Sequence, residues 1–529
     1  MTARSLMAAR ILGLLAFGLA PVGTAAAETT LRFVPHAEVK IVDPVWSTGY
    51  ITRNHGFMVY DQLFALNRKL EPQPQMVASH KVSADGLVWE FTLRPGQTWH
   101  DGTPVTAADC IASIQRFNKR DVLGQRLLEA TASMEAIDAG QFRITLKKPF
   151  GLMLDLLAKS SNNPLFMMPE RVAKTDPFQQ FTDPTGSGPF QFVSAEWVPG
   201  VKAVYRRFAA YKPRAEAPDF ASGGKLVKVD RVEYLVIPDA STQIAALGAG
   251  EVDMVEQPPI DLLPPLKRNK DVVVKLTDTL GGIASLRINH LHPPMNNPKI
   301  RQALLHLLDQ TEYMQVIVGD PEYWKLCPSY YGCGTPMSTT AGTAAFTQPK
   351  SIEKAKALIA EAGYKGERIA LLDPADNHNS HSSALIAVER LRAAGLNVDL
   401  QTIDWTAALG RINNQEGLDK AGWSLFHSYA LVVDSATPAV NTALRTGGAK
   451  NAAYGWPEDE AIEKMRAEWL AAPTLEERKA IAARIQERGF QTVVPYIPMG
   501  QYAKPMAWRA NVSGVLDGPI PLLWNIEKK

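Results

Sequence analysis

Three cysteines in 529 residues cannot supply a disulfide framework, so the chain must rest on hydrophobic cores. An excess of one charge is also missing. Fifty-six Lys and Arg stand against 54 Asp and Glu, a formal +2, which gives no electrostatic basis for nucleic acid or an anionic membrane. Beyond residues 11–20, themselves too short to span a bilayer, there is no long apolar run. Catalytic signatures are absent as well: no Gly-x-Ser-x-Gly elbow and no His-Glu-x-x-His. Ser351 and Lys354 have a Ser-x-x-Lys spacing, but neither Ser-Asp-Asn nor Lys-Thr-Gly follows, and Ser351 reads as the N-cap of a helix from Ile352. The chain is not expected to be an enzyme; a secreted hydrolase is the remote alternative.

What is present is a globular composition, 46% hydrophobic and 21% charged, in a chain too long for one core, so two or three domains are expected. Arg4 and Arg10, the apolar stretch 11–20 and the small residues before Ala27 have the order of a secretory signal. Cleavage near Ala27 would leave a mature chain of about zero formal charge, since residues 1–27 hold two arginines and no acid. With no lipid-bearing cysteine at that point, a soluble protein exported by the Sec route to a Gram-negative periplasm is expected. Cys327 and Cys333 lie in the turn-rich CPSYYGC and are expected to pair there, while Cys110 reads as a buried small hydrophobe.

The most informative stretch is residues 88–117. Trp89, Phe91 and Leu93 alternate with polar residues as in a strand; Pro95-Gly96 and Asp101-Gly102 mark turns; Thr106 with Asp109 predicts a capped helix burying Ile111, Ile114 and Phe117. On these residues alone the module is structural. The run TLRPGQTWHDGTPVTAAD within it also resembles a hallmark of the extracellular solute-binding proteins of ABC importers, the peptide/nickel class called family 5. GSGPF at 186–190, IPDASTQIAALGAGEVDM at 237–254, and Arg301, Ala303 and Asp309 match further motifs of that family. The glycines at 186 and 188 carry no phosphate-loop signature, since no Gly-Lys-Ser/Thr follows.

The resemblance implies an α/β fold, the two-lobed periplasmic binding protein fold of the class with an extra subdomain in the first lobe, joined by a two-strand hinge. The expected division is a signal peptide at 1–27, a first lobe at 28–280 with a subdomain inserted at about 65–180, a second lobe at 281–490 and a C-terminal return to the first lobe at 491–529. It further implies capture of a short peptide or other small polar solute between the lobes, by a monomer, and delivery to an ABC permease/ATPase complex at the inner membrane. No cofactor is expected.

Candidate ligand-binding residues come from two sources. Trp405, Trp423, Phe426, His427, Tyr429 and Asp434 form an aromatic cluster that suits the walls of a small-ligand cleft, or equally the core of the second lobe. Thr48, Gly49 and Tyr50 follow an Asp-Pro turn where the family brings backbone to the ligand. Family members that bind peptides have an aspartate for the ammonium group in an AGWxADY-type segment; here Phe426 stands at that place, and Asp434 is the nearest acid downstream. That departure widens the ligand class to sugars, opines or amides. A metal or metallophore is the alternative cargo, His290 and His292 being an i,i+2 pair on an expected strand; His378 and His381 sit in an expected polar loop.

Overall fold

The computed structural model describes residues 28–529, so the signal-peptide reading of residues 1–27 lies outside the described residues. Among the described residues the strands gather into three main sheets. The first runs in the order Val272–Lys275, Met506–Arg509, Met254–Val255, Thr30–Val34, Arg231–Leu235, Lys202–Arg207, Phe190–Phe192. Thr30–Val34 lies at its centre, parallel to both neighbours, with Leu31 and Phe33 wholly buried. Arg32 between them is exposed, so the strand alternates apolar and polar residues over this stretch.

The module at 88–117 belongs to a separate antiparallel sheet, ordered Val77–Val82, Val88–Leu93, Gln141–Leu146, Thr131–Ala136. Helix Ala107–Arg120 covers it with Cys110, Ile114 and Phe117 against Phe91, Phe142 and Ile144. Thr106 and Asp109 form a reciprocal capping box, and Asp109 also accepts the indole N–H of Trp99. Between the two turns, residues 98–100 make a single bridge, from Thr98 to Pro104. The segment around Gly186 and Gly188 packs on the end of helix Tyr50–Val59, where Gly188 N–H donates to the Val59 carbonyl at 2.9 Å. A Cβ on Gly186 would sit 1.9 Å from that oxygen. The glycines there serve close backbone approach.

The third sheet is ordered Trp324–Lys325, Tyr496–Tyr502, Gly282–Ile288, Leu425–Leu431, Ile369–Pro374, Val398–Ile403, with helices Gln310–Ile317 and His378–Ala393 packed on it. Two expectations are corrected here. The polar loop holding His378 and His381 is the first turn of helix His378–Ala393, capped by the Asn377 side chain on Ser380 N–H. The return to the first lobe comes later than residue 491, because Tyr496–Tyr502 is an inner strand of this sheet, paired with Gly282–Ile288 and buried at every position. The chain therefore crosses between sheets at 276–281 and again at 503–505. Gly281 has φ +64°, and a Cβ on it would lie 2.0 Å from the Tyr502 carbonyl oxygen, so the two crossings are in close backbone contact. Cys327 and Cys333 are disulfide-bonded, and Gln501, next to the second crossing, hydrogen-bonds the backbone of Cys333 and of Leu280.

Candidate functional site

Beside the crossings lies a cavity of about 510 Å³, walled by Tyr50, Arg53 and Glu256 from the first lobe and by Asn377, Tyr429 and Tyr502 from the second. Its size is that of a small-molecule pocket. A second chamber of about 140 Å³ adjoins it, lined by Arg287, Asn441, Tyr454 and Tyr496 among others, and Tyr50 and Tyr429 border both. The partition between them is a contact across the cleft. Tyr50 Oη donates to Asp434 Oδ2 at 2.5 Å, while Asn162 N–H donates to Asp434 Oδ1 at 3.0 Å. Burial pushes the Tyr50 phenol up, and the neighbouring Asp434 charge adds to the effect, so the hydroxyl keeps its proton.

Tyr50 stands there because it opens helix Tyr50–Val59, whose residues from Ile51 to Val59 are all buried, polar ones included. Thr48 and Gly49 are exposed just before it and do not line the cavity; Gly49, at φ −66°, is the N-cap. On the facing lobe Tyr429 is 42% exposed, its ring stacked on Trp405 at 5.8 Å between centroids and 13° between planes. Trp405 thus stands behind Tyr429 rather than on the cavity itself, its backbone N–H donating to Asp376.

Three residues of the aromatic cluster stand elsewhere. Trp423 and Phe426 are wholly buried with Leu372, Ile412 and Trp456 under helix Trp405–Arg411, and the Trp423 indole donates to the Ile412 carbonyl. They form a small core with that helix and do not line the cavity, the alternative the cluster left open. His427, one step along the strand, is 3% exposed and hydrogen-bonded to Tyr313 at 3.2 Å. Burial depresses its pKa to about 3, which keeps it neutral. Phe426 lies inside strand Leu425–Leu431, whereas the loop that reaches the cleft begins after it and carries Asp434.

Of the histidines considered for metal, His292 and His381 are otherwise engaged. Strand Gly282–Ile288 ends before His290, so His290 and His292 sit in a turn; His290 is half-buried and His292 Nε2 meets the Gln415 carbonyl at 2.7 Å. His381 Nδ1 pairs with Asp373 at 2.7 Å. Among the described residues no three His, Cys, Asp or Glu come close enough to hold a metal ion. Ser351 caps its helix by accepting from Lys354 N–H, so the Ser-x-x-Lys spacing has a structural use.

Sequence reasoning missed Arg53. It is 3% exposed and lines the cavity, its guanidinium 4.9 Å from the Tyr50 ring centroid. Nε and Nη2 both donate to the neutral Asn54 Oδ1, and Nη1 has no partner among the described residues. Burial lowers its pKa, and Asp434, Tyr50, Glu256 and Asp278 oppose that through space. Glu256 is pushed up by burial, yet His36 and Arg53 outweigh this and hold it below the usual carboxylate range. The signal for Arg53 was the run Thr52-Arg53-Asn54-His55 within an otherwise apolar helix.

The family described as bacterial extracellular solute-binding proteins, family 5 Middle, matches residues 71–448. A curated relative in Sinorhizobium fredii, named "probable peptide ABC transporter periplasmic-binding protein", is 37% identical over 505 residues, covering 95% of this chain and 94% of its own. In three dimensions the chain is similar to the periplasmic binding protein AgaA of A. tumefaciens R10 in complex with agropinic acid. There the TM-score is 0.76 at 21% identity, with 94% of this chain and 99% of that one covered. It is also similar to the periplasmic binding protein DppA of Helicobacter pylori in complex with the peptide STSA, at TM-score 0.73 and 20% identity, covering 95% and 98%.

Proposed function

The chain belongs to family 5 of the bacterial extracellular solute-binding proteins, the substrate-binding components of ABC importers, and from that premise we propose that its solute is held between Arg53 and Tyr50 of one lobe and Tyr429 of the other. A two-lobed transport protein of this class needs a site that both lobes complete, so that occupancy is read as closure. The observation that carries the assignment is the 2.5 Å Tyr50–Asp434 hydrogen bond across the cleft, directly beside the 510 Å³ cavity. The two chains through the hinge border the same cavity at Asp278, Gly281 and Lys504, so filling it bears on the angle between the lobes.

A peptide or another small polar solute fits this volume, and similar proteins are described with a peptide and with agropinic acid. Micromolar affinity, about −8 kcal/mol, would favour the closed form and still permit release. The mature protein acts as a periplasmic monomer, Sec-exported and cleaved near Ala27, and hands its cargo to a permease/ATPase complex in the inner membrane of a Gram-negative cell. Native mass spectrometry of the protein recovered from the periplasm tests this reading. The expected spectrum is a monomer starting near residue 28 with one small solute bound; a protein that carries none and binds none from a broad panel of small polar solutes would overturn it.

A further inference from the structure

The cavity contains cations and anions that are not equally engaged. Glu256 Oε2 accepts from both the backbone N–H and the ring Nδ1 of His36, at 2.7 and 2.8 Å. Asp278 accepts from Leu280 N–H at 2.9 Å and Asp376 from Trp405 N–H at 2.7 Å. Asp434, the acid expected to meet an ammonium group, has both oxygens occupied by donors of the first lobe. Arg53 differs from all of these. Its charge is buried, its hydrogen bonds go to a neutral amide, and Nη1 has no partner among the described residues. Lys504, exposed at the second crossing, reaches only Gln257 Oε1, at 3.4 Å, among the described residues.

A desolvated guanidinium with an empty donor is costly unless something supplies the acceptor. The group best suited to its planar fork is a carboxylate, which makes short, charge-assisted hydrogen bonds. We propose that Arg53 receives a carboxylate of the bound solute, so that the cleft selects small carboxylate-bearing molecules and anchors them by their acid rather than by an ammonium group on Asp434. This rests on the reading of the cavity as the solute site. The carboxylate joins Arg53 of the first lobe, the rest of the molecule lies against Tyr429 of the second, and Lys504 adds positive potential at the hinge. Zwitterions are accommodated as well, since Asp278 and Asp376 border the same space. Asp434 is left as the acceptor that fastens the lobes.

The test is thermal-shift and calorimetric titration of the unmodified mature protein with amino acids, di- to tetrapeptides and N-carboxyalkyl amino acids, each beside its carboxyl amide. Binding of acids with about 10- to 100-fold loss in the matching amide is the expected result. Amides that bind as tightly as acids would overturn the assignment to Arg53 while leaving the cavity as the solute site. No binding by either class would overturn both. Arg53→Gln should lose the preference for acids, Arg53→Lys should regain part of it, and Lys504→Gln should weaken acids more than amides. Because Arg53 is buried, circular dichroism and melting of each variant accompany the titrations; the acid–amide comparison on the unmodified protein stands whether or not they fold.

Discussion

Tyr50 and Asp434, 384 positions apart in sequence, meet at 2.5 Å across the cleft between the two lobes. One end of this bond belongs to a buried helix of the first lobe and the other to a short turn after an inner strand of the second. A hydrogen bond to a charged acceptor contributes about 1.5–3 kcal/mol. Such a contact, made only when the lobes approach, acts on the open–closed equilibrium and leaves the fold of either lobe alone.

Tyr50→Phe removes the hydroxyl and keeps the ring over Arg53. Solute affinity should fall about tenfold or more, with the melting temperature of the solute-free protein unchanged. Calorimetry and a melting curve check both. An unchanged affinity would mean that the bond does not take part in closure.

Trp423→Ala and Phe426→Ala should behave as core truncations. Each is expected to cost about 3–5 kcal/mol of stability, read by urea unfolding, with affinity retained at temperatures where the variant remains folded. Lost affinity with unchanged stability would place these rings at the ligand instead.

Acid should destabilise the protein from pH 6.5 downward. Burial depresses His55 and His427 to about 3 and His100 to about 4. As pH falls through 6.5 the unfolded chain takes up these protons and the folded chain does not, so stability is full above 6.5 and is lost toward the folded values. At pH 5 each buried histidine costs about 2 kcal/mol. Unfolding free energies at pH 7.5 and 5.0 measure the slope, and His427→Gln should reduce it by about one proton. A flat profile over that range would show that these rings reach solvent in the folded state.

Replacing Cys327 and Cys333 together by serine should cost about 2 kcal/mol, the loop-closure entropy of so short a loop. Denaturant unfolding of the oxidised, reduced and double-serine forms checks this. Equal stability of all three would assign the bond no role in the folding equilibrium.

Turns, caps and alternating strands were legible in the sequence because each has a local cause: Thr106 and Asp109 cap their helix whatever surrounds it. The sheet to which Tyr496–Tyr502 belongs was not, since a strand buried on both faces has no period to show where it packs. The first turn of helix His378–Ala393 has the composition of a polar loop because His, Asn and Ser are weak helix formers, and the N-cap at Asn377 decides where the helix starts. In the cleft, composition drew attention to aromatic residues, and only packing in the folded chain separates Tyr429, on the cavity, from Trp423 and Phe426, buried under helix Trp405–Arg411. Arg53 depends on burial of a whole helix, whose Asn54 reaches Glu256, 202 positions away.

A crystal structure of the mature protein grown with its co-purified solute comes closest to deciding whether the cleft is the binding site. Density should fill the 510 Å³ cavity between Arg53, Tyr50 and Tyr429, with an acid group on the Arg53 guanidinium and the Tyr50–Asp434 bond intact. Solute bound elsewhere on the molecule, with this cavity holding only water, would contradict the assignment.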